Sequence, residues 1–223
     1  TKKDIKYFFV LNFNGTKKLT KSLNLKNLKS FIFISTVSVY GLDKGDLIDE
    51  SYPLLGSSPY SLSKIKAEKF LINFGKINNI KIVILRLPLI TGTNPNGNLK
   101  YISEAIKKGY YFRIGKGTAK RSIVSANDVA KLIPYLFNLN GIYNFTDCNH
   151  PMIRDIDSAI ALKYNRKIKT LPLVLMKLIG KLGDILNFLP FNSLMLNKLT
   201  KNLTFSNQKI INEIGYRPTK GLS

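Results

Sequence analysis

Short apolar runs and helical segments alternate in the first half of this 223-residue chain, and this alternation limits the fold more than any other feature. Phe31 to Ser35 and Ile80 to Leu85 have the length and apolar character of buried strands. Between them, Gly41 to Pro59 is rich in Gly, Asp, Ser and Pro, and Tyr60 to Asn73 has helical periodicity. Strand, loop, helix and strand in this order form the unit of a parallel sheet. We therefore predict an α/β fold.

The rest of the chain continues this pattern. Apolar spacing and turn residues predict a helix over Tyr7 to Asn24, a loop over Thr91 to Gly97, a helix near Asn98 to Lys108, a strand near Tyr111 to Ile114, a helix starting at Ser125 and a strand over Gly141 to Phe145. The sequence after this strand predicts mainly helix.

The charge balance is strongly basic. The chain has 35 Lys and Arg residues against 13 Asp and Glu residues, a formal net charge of +22. Such a charge attracts nucleic acid, an anionic membrane surface or an anionic metabolite. The excess is mostly Lys and is spread from end to end, which favours a solvated lysine surface over one extended polyanion site. No nucleic-acid-binding motif is recognisable, so we expect no specific nucleic-acid partner and keep a basic nucleic-acid-binding protein as the competing class.

One cysteine, Cys148, and one histidine, His150, limit the available chemistry. A single cysteine forbids an internal disulfide and argues for a reducing compartment, so we expect a cytoplasmic location. Both residues lie between Asp147 and Pro151, where a metal ion would lack further ligands. A turn explains this composition better, and we expect no metal site.

The most apolar stretch runs from Leu171 to Pro190. Lys177, Lys181 and Asp184 interrupt it, so it falls short of the roughly 20 apolar residues that a membrane-spanning helix needs. We expect an amphipathic helix pair that packs as core or lid, with contact to a membrane surface as the alternative.

Tyr60 and Lys64 are separated by four residues and therefore share one face of the predicted helix. Lowering a tyrosine pKa from about 10 to about 7 requires roughly 4 kcal/mol. A Lys ammonium about 4 Å away in a partly screened site provides on the order of 4 kcal/mol. The pair is thus suited to acid/base chemistry near neutral pH, although the spacing alone also occurs by chance in many helices.

Other motifs accompany this pair in a fixed order. They are Asn12-Phe13-Asn14-Gly15-Thr16, Ser35-Thr36-Val37-Ser38-Val39-Tyr40-Gly41, Ser58-Pro59-Tyr60-Ser61-Leu62-Ser63-Lys64, Arg86-Leu87-Pro88-Leu89-Ile90-Thr91-Gly92 and Arg121 to Ala130. With them, the chain resembles the extended short-chain dehydrogenases/reductases of the NAD-dependent epimerase/dehydratase family, and within it the nucleotide-sugar epimerases and reductases.

The resemblance implies a fold and a division of the chain. Residues 1–97 would be the C-terminal part of a dinucleotide-binding Rossmann domain, a partial parallel sheet whose first βαβ units are missing. Residues 98–223 would be mainly a smaller α/β substrate-binding lobe, with some segments that return to the sheet. The family's Gly-x-x-Gly-x-x-Gly phosphate motif is absent from the 223 residues, so an inactive remnant is a further alternative.

The resemblance also implies catalytic and cofactor-binding residues. Thr36 would hydrogen-bond the reacting sugar oxygen, Tyr60 would be the acid/base, and Lys64 would lower the pKa of Tyr60 and hold the nicotinamide ribose of NAD or NADP. Asn12 and Pro88 would support the cofactor pocket. The alternatives are a helix-capping role for Thr36 and a buried polar contact between helices for Asn12.

Two residues would bind the substrate diphosphate. The resemblance makes Arg121 the first candidate, a role that suits a guanidinium because it can grip a diphosphate with two parallel hydrogen bonds, and a structural ion pair with Asp128 or Asp147 is its alternative. Asn98 would meet the same group at a helix start, or would be a plain N-cap.

Together these residues imply an NAD(P)-dependent nucleotide-sugar epimerase that transfers a hydride at the sugar C4, or a 4-ketoreductase of the same family. The partner would be a nucleotide diphosphate sugar, and a homodimer is allowed. Val37-Ser38 stands where the family's dehydratases carry an acid, which disfavours dehydration. Leu89 replaces an Asn that is common in the galactose epimerases and leaves the sugar undefined.

Overall fold

The computed structural model describes residues 6–93, 97–186 and 192–219. Its strands are β1 (Ser30–Thr36), β2 (Gly45–Ile48), β3 (Lys81–Leu87), β4 (Leu89–Thr91), β5 (Phe112–Ile114), β6 (Ile123–Ser125), β7 (Gly141–Asn144), β8 (Lys169–Leu171) and β9 (Leu203–Phe205). Its α-helices are α1 (Gly15–Ser22), α2 (Pro59–Asn78), α3 (Asn98–Lys108), α4 (Ala126–Leu132), α5 (Ile153–Lys163), α6 (Leu173–Ile185), α7 (Ser193–Thr200) and α8 (Gln208–Ile214). A π-helical segment, Phe9–Asn14, leads directly into α1.

The central sheet is parallel and has the strand order β1-β3-β7. Ser35 lies opposite Arg86, and Arg86 lies opposite Asn144, so all three strands end at one edge. The α/β fold with a parallel sheet is thereby confirmed.

Alternate residues of the strands build two apolar layers. On one face, Ile82 and Ile84 of β3 pack with Leu71 of α2. On the other face, Val83 and Leu85 pack in a second cluster, which includes Leu132 of α4 and Ile210 of α8. The sheet is therefore covered by α2 on one side and by α4 and α8 on the other.

Three further strand pairs are parallel: β2 with β9, β4 with β6, and β5 with β8. Strand β2 lies inside Gly41 to Pro59, which was expected to be a loop throughout. Its partner β9 is more than 150 residues away in sequence, and this non-local pairing stabilises a segment whose Gly and Asp residues disfavour a strand.

Most predicted elements are present with shifted ends. Helix α2 begins one residue before Tyr60 and extends to Asn78, five residues past the predicted end, and Asn79 caps it in the left-handed region with φ 54°. Helix α3 has the predicted bounds, and Ser125 caps α4 by accepting the Asp128 backbone N–H. Thr91, predicted to start a loop, ends strand β4.

The apolar C-terminal stretch forms α6, and α7 follows it. Pro190, the predicted end of this stretch, lies outside the described residues. Among the described helices, none combines the length and apolar content that a membrane crossing requires.

Candidate functional site

Thr36 ends β1 at the carboxyl edge of the central sheet, where open α/β sheets place ligands. Its Oγ1 accepts the Ser38 backbone N–H at 3.2 Å and so caps the 3-10 helix Val37–Tyr40. The Thr36 side chain also lies close enough to the Tyr60 side chain to lower the pKa of its phenol. Thr36 therefore caps this short helix and lies beside the proposed acid/base.

Tyr60 lies in the first turn of α2, which Ser58 caps and Pro59 begins. The Tyr60 side chain is half-buried, and its ring meets the edge of the Phe8 ring at 5.5 Å between centroids. Burial raises the pKa of Tyr60, and the nearby Thr36 side chain offsets part of this rise.

Lys64 lies on the same face of α2, one turn after Tyr60. Its ammonium donates to the Ile34 carbonyl oxygen at 2.9 Å and lies 4.6 Å from the centre of the Phe33 ring. Burial lowers the pKa of Lys64, and the nearby Glu68 carboxylate partly offsets this. The expected lowering of the Tyr60 pKa is not seen, because burial dominates at Tyr60 while the ammonium is held by the outer strand β1.

A buried ion pair lies beneath this face of α2. The Glu68 carboxylate accepts from Arg86 Nη2 at 2.7 Å and from Arg86 Nε at 3.3 Å, and the Ser35 hydroxyl donates to the same carboxylate. Glu68 and Arg86 are each 1% exposed, so the pair is shielded from solvent and is fully hydrogen-bonded.

The ion pair extends across the sheet edge. Arg86 Nη1 donates to the Tyr40 hydroxyl at 3.0 Å, which donates to Asn144 Oδ1 at 2.7 Å. Sequence reasoning missed Glu68 and its partner Arg86. The signal was present in the spacing, since Glu68 follows Lys64 by four residues and Tyr60 by eight, on one helix face.

Asn12 contacts α2 directly. Its Nδ2 donates to Ser63 Oγ at 2.9 Å, and the Ser63 hydroxyl donates to the Tyr60 carbonyl oxygen at 2.7 Å. This is the polar helix contact that was the alternative for Asn12. Pro88, the other proposed cofactor residue, is half-buried between β3 and β4 at the same sheet edge.

The hydrogen bonds of the Arg121 guanidinium go to backbone carbonyl oxygens rather than to Asp128 or Asp147, the predicted ion-pair partners. Its Nη1 donates to the carbonyl oxygens of Lys120 at 2.8 Å and Lys201 at 2.6 Å, and its Nη2 donates to that of Lys198. The guanidinium therefore caps the C-terminal end of α7, a favourable place for a cation. Asn98 is the exposed first residue of α3, and Gly97 is the N-cap.

Cys148 and His150 occupy a turn, as their neighbours predict. Both have left-handed backbones, with φ values of 61° and 44°. His150 Nδ1 lies 2.9 Å from the Ser122 hydroxyl, and Cys148 Sγ accepts from Asn207 Nδ2 at 3.1 Å. These contacts account for both side chains structurally.

A large open cleft of about 1540 Å³ lies away from this site, at the edge where Ser30, Lys81 and Gly141 begin the three central strands. None of the proposed site residues lines it. The structure thus brings Thr36, Tyr60 and Lys64 together, with Asn12 beside them, while Arg121 and Asn98 lie on other elements.

Comparison with known proteins identifies the family to which this arrangement belongs. The sequence profile of the "NAD dependent epimerase/dehydratase family" matches residues 1–144, well over half of the chain. The chain belongs to this family. Thr36, Tyr60 and Lys64 all lie within the matched part.

Two curated relatives of this family are sugar 4-epimerases by name. The chain is 28% identical over 188 residues to N-acetyl-alpha-D-glucosaminyl-diphospho-ditrans,octacis-undecaprenol 4-epimerase of Escherichia coli O157:H7, covering 81% of this chain and 56% of that protein. It is 26% identical over 226 residues to UDP-glucose 4-epimerase of Vibrio cholerae, covering 95% and 65%. The chain therefore spans less than two thirds of either relative.

A solved family member has the same fold. The UDP-glucose 4-epimerase of Thermus thermophilus in complex with NAD matches with a TM-score of 0.68 at 22% identity, covering 94% of this chain and 65% of that one. At this identity the match establishes the Rossmann-type α/β fold.

Proposed function

We propose that this chain carries the catalytic acid/base of an NAD(P)-dependent 4-epimerase that acts on a sugar linked to a diphosphate. The observation that supports the proposal is the placement of Thr36 at the carboxyl edge of the sheet, close enough to the Tyr60 side chain to lower its pKa, with Lys64 on the next turn of the same helix as Tyr60. The two relatives named above act at sugar C4 by name, one on a uridine diphosphate sugar and one on an undecaprenol diphosphate sugar.

In this proposal Tyr60 accepts the proton of the C4 hydroxyl and returns it after the configuration at C4 has inverted. Thr36 positions the reacting oxygen and stabilises the Tyr60 phenolate, which is the form that accepts this proton. Lys64 holds a positive charge near the phenol, and its flexible stem allows the ammonium to leave the Ile34 carbonyl when a better partner is present. Arg121 and Asn98 are the proposed diphosphate contacts.

The donor set of this site fits the nicotinamide ribose of NAD or NADP. A phenol and an ammonium one helical turn apart match a pair of ribose hydroxyls, and Pro88 and Asn12 flank the same edge. When bound, the cofactor supplies the acceptor and donor of the C4 hydride. The 223 residues contain no Gly-x-x-Gly-x-x-Gly, so we expect their affinity for free NAD to be weak.

The test is interconversion of UDP-glucose and UDP-galactose, and of the N-acetylated pair, by the chain supplied with NAD or NADP. Tyr60→Phe should lower the rate by about 10²- to 10⁴-fold, because the ring remains and the proton is lost. The control is Tyr101→Phe, a tyrosine of α3 that is 72% exposed, and its rate should equal that of the wild type.

Three results would contradict the proposal. They are a Tyr60→Phe rate within a few-fold of wild type, no conversion by the wild-type chain when either cofactor is present at saturating concentration, and net consumption of reduced cofactor with no epimer formed. The last result would indicate the 4-ketoreductase instead, since epimerisation leaves the cofactor unchanged overall.

A further inference from the structure

Helix α6 has two apolar faces, and the protein covers only one of them. Met176, Gly180 and Gly183 are buried and face inward. The opposite side carries Val174 and Ile185, which are 72% and 76% exposed. The inner face of α6 therefore packs as expected for a core or lid helix. The apolar residues on its outer face have no such packing role.

The exposed apolar residues of α6 form a continuous stripe. At 100° per residue, Val174, Leu178 and Ile185 point within about 40° of one another, and Leu178 is 57% exposed. Leu175 and Leu182 lie beside them and are 46% and 53% exposed. Singly exposed apolar residues are ordinary, but a contiguous patch marks an interaction surface.

Helix α7 is fixed to α6 and exposes further apolar residues. Its exposed apolar residues are Leu194, Met195 and Leu199, which are 65%, 47% and 45% exposed. The Ser193 backbone N–H at the start of α7 donates to Asp184 Oδ1 at 3.0 Å. We call the exposed apolar residues of both helices the outer face of α6 and α7.

Basic residues border this outer face. Lys177 and Lys181 are exposed and lie on the flank of the α6 stripe. Between Asp157 and Asp184 the sequence has six basic residues and no acidic residue. An apolar helix face bordered by lysines is the composition of helices that lie in the interface of an anionic membrane.

We propose that the outer face of α6 and α7 docks on an anionic membrane surface. Helix α6 has 13 residues and is about 20 Å long, against about 30 Å of hydrocarbon, so it lies on the membrane rather than crossing it. Docking of a second copy is disfavoured, because two chains of net charge +22 would bring their bordering lysines together.

The docking surface is tied to the proposed substrate site through Arg121, whose guanidinium holds the Lys198 and Lys201 carbonyls at the end of α7. This consequence rests on the proposed function: a sugar diphosphate carried by a membrane lipid would approach beside the residue proposed to bind its diphosphate. The docking itself does not depend on catalysis and is tested without it.

The experiment is co-flotation of the full chain with vesicles of phosphatidylcholine and phosphatidylglycerol, and with vesicles of phosphatidylcholine alone. The chain should float with the anionic vesicles. The variant Leu178→Gln/Ile185→Gln should bind at least about tenfold more weakly, since it removes apolar area from the interface. Lys177→Gln/Lys181→Gln should weaken binding to anionic vesicles by about tenfold or more.

The matched control is Ile77→Gln/Leu162→Gln, which changes two apolar residues that are 72% and 84% exposed on other helices. It should float like the wild type. The proposal is overturned if the chain does not float, or if the α6 variant and the control float equally. Sedimentation without lipid that shows a dimer, dissociated by Leu178→Gln/Ile185→Gln, would assign the face to a second copy instead.

Discussion

At the residue scale, the face of α2 that carries Tyr60 and Lys64 rests on the buried Glu68–Arg86 pair. Glu68 receives three hydrogen bonds from Arg86 and Ser35, and its charge supports the protonated form of Lys64. An ion pair of this kind is stabilising only while both partners are present, because a single buried charge has no compensation.

We predict that Glu68→Gln lowers the free energy of unfolding by about 3–5 kcal/mol, since Arg86 keeps its buried charge and loses its counterion. The control is Asp43→Asn, which breaks the 3.1 Å pair with Lys198 at side chains that are 41% and 56% exposed. That exposed pair should contribute about 0–1 kcal/mol.

Urea denaturation of both variants under the same conditions measures the difference. Equal losses in the two variants would show that the buried pair does not stabilise the sheet edge. The double variant Glu68→Gln/Arg86→Met should recover part of the lost free energy of unfolding, because it also removes the uncompensated charge of Arg86.

Individual residues also show which features of the site can be predicted from the sequence and which cannot. Helical spacing is a local property, so the shared face of Tyr60 and Lys64 follows from the sequence alone. The hydrogen bond from Lys64 to the Ile34 carbonyl depends on how α2 packs against β1. The same holds for Arg121, since the helix end that it caps is about 80 residues away in sequence.

At the element scale, the close approach of α2 to β3 is set by Gly75. A Cβ at this position would lie 2.3 Å from Ile82 Cγ1 and 2.7 Å from the Ile80 carbonyl oxygen. Neither atom can move freely, because both belong to the segment entering β3. The lack of a Cβ at Gly75, in the last turn of α2, therefore allows the helix to pack closely on the sheet.

We predict that Gly75→Ala lowers the free energy of unfolding by about 1–3 kcal/mol, because overpacking exceeds the gain of about 1 kcal/mol in helix propensity. Gly180→Ala in α6 is the matched control, since its Cβ would meet its nearest atom, the Ser193 backbone nitrogen, at 3.4 Å. That variant should be neutral or slightly stabilised. Thermal unfolding of both proteins measures this, and a stabilised Gly75→Ala would contradict the assigned packing.

Elements whose signals are local were predicted well. Ser125 caps α4 at the predicted residue, and α3 ends where Gly109 adopts a left-handed backbone. Strand β2 was missed because its stability comes from β9. The two apolar faces of α6 could not be separated in sequence, since periodicity reveals apolar residues and not which of them another element covers.

At the scale of the whole molecule, folding makes the surface more basic than the composition suggests. Four acidic residues are buried in the described parts of the chain, namely Glu68, Asp128, Asp147 and Asp157, whereas Arg86 is the one basic residue buried there. The formal charge of +22 is therefore carried by a surface with few acids. Such a surface attracts polyanions without selecting among them.

We predict that the full chain binds two unrelated DNA duplexes with equal affinity and loses at least about tenfold in affinity between about 50 and 200 mM salt, because counterion release drives the binding. Fluorescence anisotropy of labelled duplexes measures both effects. Leu178→Gln/Ile185→Gln should leave this DNA binding unchanged, since it alters apolar residues only. This result would separate the electrostatic attraction exerted by the whole basic surface from membrane binding by the outer face of α6 and α7. A sequence-selective complex that persists at about 0.2 M salt would instead show that nucleic acid is a specific partner. It would contradict the expectation that the excess charge is a solvated lysine surface.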